Sequence, residues 1–172
     1  MTVVLDDVVL VLLAEGPSSA YELWQHHAEL FGDDRRVDLS RVMTSVNRLE
    51  RAGLLRVEAP AKARKGSGNR LACWLTAAGR ERQAAWLCAV GPDTGADDLY
   101  VRGLLAVEAA DPATFDTFLS RSLAAARTRI TRLAASGDSG ARTAFDQEVA
   151  RALALWLNQL PEHRRPRAAS AS

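Results

Sequence analysis

Apolar side chains in the first third of the chain recur at helical spacing. Val4, Val8 and Leu12, with Leu5, Val9 and Leu13 beside them, predict a first helix that Gly16-Pro17 ends. Ser18 or Ser19 is placed to cap a second helix through Tyr21, Leu23, Trp24, Ala28 and Phe31. Glu22 in its first turn suits the macrodipole, and Gly32 suits its end. After the polar loop Asp33 to Arg36, Leu39, Val42, Val46 and Leu49 recur in steps of three, four and three. That stripe predicts a third helix, with Gly53 placed to close it in a left-handed conformation.

The period then changes. Leu54 to Glu58 and Arg70 to Leu75 are short, β-prone runs on either side of Pro60 to Asn69, where Gly66-Ser67-Gly68-Asn69 carries turn chemistry. They predict a β-hairpin with a basic tip. Thr76 is placed to cap a fourth helix with apolar Ala84, Ala85, Trp86, Leu87 and Cys88, in which Gly79 reads as an internal weak point. Gly91 to Gly95 marks a break. Beyond it come a helix over Asp97 to Ala110 and one opened by Asp111-Pro112. The latter carries the stripe Phe115, Phe118, Leu119, Leu123, Ala126, Ile130 and Leu133. A last helix, with Phe145, Val149, Leu153, Trp156, Leu157 and Leu160, is expected to stop before Pro161.

The expected fold is therefore mainly α with a small β-hairpin. Residues 1–91 form a winged helix-turn-helix domain, 92–162 a helical dimerisation domain, and 163–172 a flexible tail. The long stripe could pack within the chain, against the winged domain. The favoured reading is a dimer seam, because a long amphipathic helix needs a partner.

Charge sharpens this picture only once it is divided along the chain. The net charge is +1, but residues 1–34 hold seven Asp or Glu and no Lys or Arg, whereas residues 35–82 hold twelve Lys or Arg against four Asp or Glu. A basic middle on a near-neutral protein implies a localised surface for a polyanion.

The chemistry in that basic middle suits duplex DNA. With its buried stripe removed, the third helix offers Arg41, Thr44, Ser45 and Arg48. Arginine can fork onto guanine O6 and N7, Ser and Thr can serve bases or phosphates, and an α-helix fits the major groove. The hairpin would add Lys62, Arg64, Lys65 and Arg70 against phosphates. A solvated polar face is the bland alternative for such a helix in isolation; a basic wing directly after it favours DNA.

These parts, in this order, resemble the PadR family of transcriptional regulators. The resemblance rests on Leu12-Leu13-Ala14-Glu15-Gly16-Pro17, Ala20-Tyr21-Glu22-Leu23, Arg48-Leu49-Glu50-Arg51-Ala52-Gly53-Leu54 and Leu75-Thr76-Ala77-Ala78-Gly79. Asp111-Pro112 and Ala154-Leu155-Trp156-Leu157 are similar to the C-terminal dimerisation region of the longer subfamily. It implies a homodimeric repressor on a palindromic operator, often released by a small, frequently aromatic, effector. Where the family commonly has a recognition-helix tyrosine this chain has Met43, so that contact is not carried over. Tyr21, Trp24 and Trp86 are effector candidates by chemistry alone, with core or interface packing the commoner role for tryptophan.

Other functions find less support. His26-His27 are adjacent on a helix, about 100° apart, and lack a convincing ligand set, so no metal or other cofactor is expected. Cys73 and Cys88 read as buried thiols of a reducing compartment rather than a redox pair. No Ser-His-Asp grouping or phosphate loop points to an enzyme. The longest apolar run, Val8 to Ala14, is too short to cross a membrane and Asp6-Asp7 precede it, so a cytoplasmic location is expected. The main alternative function is a winged-helix protein-interaction module without DNA binding, whose arginines would meet an acidic partner.

Overall fold

The computed structural model describes residues 5–58 and 71–164. The hairpin tip, with Lys62, Arg64, Lys65 and Arg70, lies outside the described residues, as do Val4 and residues 165–172. The described residues divide into two compact units, one ending at Trp86 and the other beginning at Leu87.

In the N-terminal unit, α1 (Leu5–Leu12) continues as a 3₁₀ turn, Leu13–Glu15. Val8 to Leu13 are all buried, so this helix runs through the core instead of lying on it. Gly16, at φ 145°, turns the chain away. Of the two serines suited to a cap, Ser19 takes the role: its hydroxyl accepts from the Glu22 N–H at 3.2 Å, while the Glu22 carboxylate accepts from the Ser19 N–H at 2.7 Å. This capping box starts α2 (Ala20–Phe31), and Gly32 at φ 68° ends it.

A short 3₁₀ turn, Asp33–Arg35, leads to α3 (Leu39–Arg51), which buries Val42, Val46 and Leu49 against α1 and α2. Gly53 follows at φ 71°, as its place in the sequence suggests. The antiparallel pair β1 (Leu55–Glu58) and β2 (Ala72–Leu75) then matches Leu55 to Leu75 and Val57 to Cys73 on its inner face, Arg56 to Trp74 on its outer face. Ser18 adds a third short rung, exchanging both backbone hydrogen bonds with Cys73 at 3.2 and 2.9 Å. The wing is thereby anchored to the start of α2.

Thr76 caps α4 (Ala77–Cys88), its hydroxyl accepting from the Gly79 N–H at 3.1 Å. Gly79 departs from its reading as a weak point. It is buried, and a Cβ there would lie 2.0 Å from the Leu54 carbonyl oxygen, so a side chain would drive α4 off the start of the wing.

The C-terminal unit contains α5 (Ala96–Ala109), α6 (Pro112–Ala135) and α7 (Ala141–His163). Asp111 caps α6, accepting from the Thr114 N–H at 3.0 Å, with Pro112 in the first turn where its missing N–H costs nothing. Much of the α6 stripe is covered within this unit: Phe115, Phe118 and Ala126 are buried, and α6 packs chiefly on α7 and α5. Two further expectations are corrected. Helix α7 does not stop before Pro161 but runs two residues past it, because a proline in a last turn breaks few ladder bonds. Cys73 is buried as expected, but Cys88 is only half-buried. Among the described residues no helix is long and apolar enough to cross a membrane.

Candidate nucleic-acid interface

Helix α3 is held at its entry and along its length. The Trp24 indole N–H donates to the Val37 carbonyl at 2.8 Å, tying α2 to the segment that leads into α3. Tyr21 lies against that indole, ring centroids 5.5 Å apart. Trp24 is thus a strut between the two helices, and Trp86 is buried in the core. Of the three aromatic effector candidates, Tyr21 alone lines the cavity of about 550 Å³ beside α3.

The outward face of α3 differs from its expected composition. Arg41 and Thr44 are exposed. The Thr44 hydroxyl donates to the Ser40 carbonyl at 2.8 Å, which leaves its oxygen as an acceptor. Ser45 does not share this face: it is fully buried and donates to Asp6 of α1 at 2.5 Å. One residue on from Thr44 is a turn of about 100°, enough to carry position 45 round to the side on which α1 packs.

Arg48 remains exposed but is engaged. Its Nε donates to Asp6 Oδ2 at 2.6 Å and its Nη2 to Oδ1 at 2.5 Å. This bidentate pair, whose hydrogen bonds push the Arg48 pKa further up, occupies the Nε–Nη2 edge, one of the two edges by which a guanidinium can fork onto a base. Sequence spacing could not reveal it, because Asp6 lies on another helix. The neighbouring Asp7 pairs instead with Arg82 of α4 at 2.9 Å, so two adjacent carboxylates tie α1 in two directions.

Three further polar residues of α3, Ser40, Asn47 and Arg51, are exposed and were not singled out by spacing. At about 100° per residue, positions 40, 44, 41 and 51 span one continuous outer arc. Drawing the helical wheel beyond the arginine-threonine pair would have found them. On the wing, Arg56 is exposed on the outer face of β1, 3.4 Å from Glu58. The unit thus presents a cationic and hydroxyl-bearing helix face with a β-wing after it. Such a surface can bond phosphates and base edges.

Among solved structures, the chain is similar to the crystal structure of Bacillus subtilis PadR in complex with operator DNA. The identity is 16%, the TM-score 0.45, and the match covers 92% of this chain and 98% of that one. It is also similar to the crystal structure of smu.1604c from Streptococcus mutans UA159, at 17% identity and a TM-score of 0.39, covering 91% and 96% of the two chains. No protein-family profile matches the chain, and no curated protein does.

Proposed function

We propose that this protein is a sequence-specific DNA-binding transcriptional regulator of the PadR kind, acting as a homodimeric, ligand-responsive repressor on an inverted-repeat operator. The observation that carries the reading is α3. It is braced by α2 through Trp24 and Val37, followed by a wing pinned at Ser18 and Cys73, and presents Arg41 and Thr44 outward. A helix so mounted can enter a major groove while the wing follows the phosphates. The sequence motifs shared with PadR regulators agree with this.

The homodimer is supported by the C-terminal unit, where Phe145 and Leu155 of α7 are 68% and 66% exposed. Large apolar side chains left in water on a long helix suit a self-complementary contact. A two-fold pair would set two α3 helices one DNA turn, or a multiple of it, apart.

The test is selection of genomic fragments by the purified protein, followed by titration of a recovered duplex at several salt concentrations. The expected result is an enriched inverted repeat whose affinity falls steeply with salt. Retention of no fragment above background at low salt would overturn the reading and favour a protein-interaction module.

A further inference from the structure

The outward side of α3 sorts into side chains already engaged and side chains still available. Arg48 is held by Asp6, and the Thr44 hydroxyl donates its proton to the Ser40 carbonyl. Arg41 and Asn47 are both exposed, and neither makes a side-chain hydrogen bond or ion pair with another described residue. At about 100° per residue they stand about 60° to either side of Thr44. A groove entered with Thr44 toward its floor therefore brings both side chains to base edges.

The two edges of this arc differ in charge. Arg48 lies about 20° from Arg41, so that edge is cationic and suits phosphates as well as guanine. Beyond Asn47 come Met43, about 40° further round, and Glu50, about 20° beyond that. All three border the cavity between α2, α3 and the β-pair, which places them on one flank. The Glu50 carboxylate repels phosphates there, and a carboxamide with no cation beside it gains little from them. Asn47 is therefore better matched to a base edge than to the backbone.

Base chemistry then selects the pair. A carboxamide sets a donor beside an acceptor, the complement of adenine N7 and its N6 amino group. Guanine offers two acceptors there, which an arginine fork matches and a carboxamide does not. Met43, one helical turn before Asn47 and 52% exposed, holds an apolar thioether in water on the same flank. The apolar group that a major groove presents is the thymine 5-methyl, again a mark of A·T pairs.

We infer that Asn47 is a specificity-determining residue, reading one adenine per bound α3 through N6 and N7, and that Met43 seats against a neighbouring thymine methyl. The inference rests on the DNA-binding reading proposed above. It adds an A·T requirement to the guanine that Arg41 suits.

The probe is the duplex recovered by genomic selection, remade with each adenine in turn replaced by 7-deazaadenine, which lacks N7, and each thymine by uracil, which lacks the methyl. Binding is measured at one salt concentration for the unaltered protein, Asn47→Ala and Met43→Ala. At one adenine the 7-deaza change should weaken the unaltered protein about two- to tenfold, half the worth of a bidentate pair, and cost Asn47→Ala nothing further. Asn47→Asp, of nearly the same shape but unable to donate to N7, should behave as Asn47→Ala does. At a neighbouring thymine, uracil should cost the unaltered protein about fourfold, the worth of one buried methyl, and cost Met43→Ala nothing further. The same adenine pattern in every protein overturns the role of Asn47, and a uracil pattern unchanged by Met43→Ala overturns that of Met43. Equal loss by Asn47→Ala on the recovered and on random duplex would make Asn47 a phosphate contact, which overturns the inference and leaves the DNA reading standing. Retention of no duplex would sink that reading, and this inference with it.

Discussion

Asp6 grips Arg48 through both carboxylate oxygens across forty-two positions of sequence, and the same Oδ1 accepts from buried Ser45. The three side chains fasten α3 to α1 from within the face expected to read bases. Arg48 is therefore a positioning residue for α3. Asp6→Ala and Arg48→Ala should each lower the melting temperature, and the double variant should melt no lower than the worse single one, since either change breaks the same pair. Additive losses would show that Arg48 acts elsewhere.

On the DNA-binding reading proposed above, base discrimination would fall to Arg41 and its neighbours. Arg41→Ala should cost about 1–3 kcal/mol on the selected operator and much less on random duplex, measured by fluorescence anisotropy at one salt concentration. Arg48→Ala should lose affinity for both in parallel, because it disturbs how α3 is held. A selective loss at Arg48 with none at Arg41 would reverse the assignment.

Two glycines are held by close packing. A Cβ at Gly103 of α5 would lie 2.4 Å and 2.9 Å from ring carbons of Trp156, which itself packs on Tyr100 at 5.7 Å between centroids. Gly79→Ala and Gly103→Ala should each destabilise by about 1–3 kcal/mol in urea titrations, the usual cost of overpacking. This runs against the gain expected from placing alanine in a helix. Stabilisation by either would mean that the neighbours yield freely.

His27 supplies a pH dependence. It is buried beside Phe31, ring centroids 4.8 Å apart, and burial lowers its pKa below the value of about 6.5 for a free imidazole. The unfolded chain therefore binds the proton more readily than the folded one. Stability from this group is present above pH of about 6.5 and is lost as the pH falls through the folded value. His27→Phe should flatten the acid side of the stability profile between pH 7 and 5; an unchanged slope would place the dependence on other groups.

What the chain determines by itself is whatever depends on near neighbours. The stripe Leu39, Val42, Val46 and Leu49, the Ser19–Glu22 cap, the glycine stops at Gly16, Gly32 and Gly53, and the alternation of β1 and β2 all follow from repeat spacing and local hydrogen bonding. Spacing likewise placed Arg41 and Thr44 on the outward side of α3. Tertiary structure decided the rest, because those decisions join residues far apart in sequence. Asp6 drew Ser45 off the outward face of α3 and engaged Arg48, the Leu54 carbonyl made Gly79 a necessity, and α5 and α7 covered much of the α6 stripe. Helical periodicity says which way a side chain leaves its own axis, but only packing decides whether water, an opposing carboxylate or another helix is waiting there.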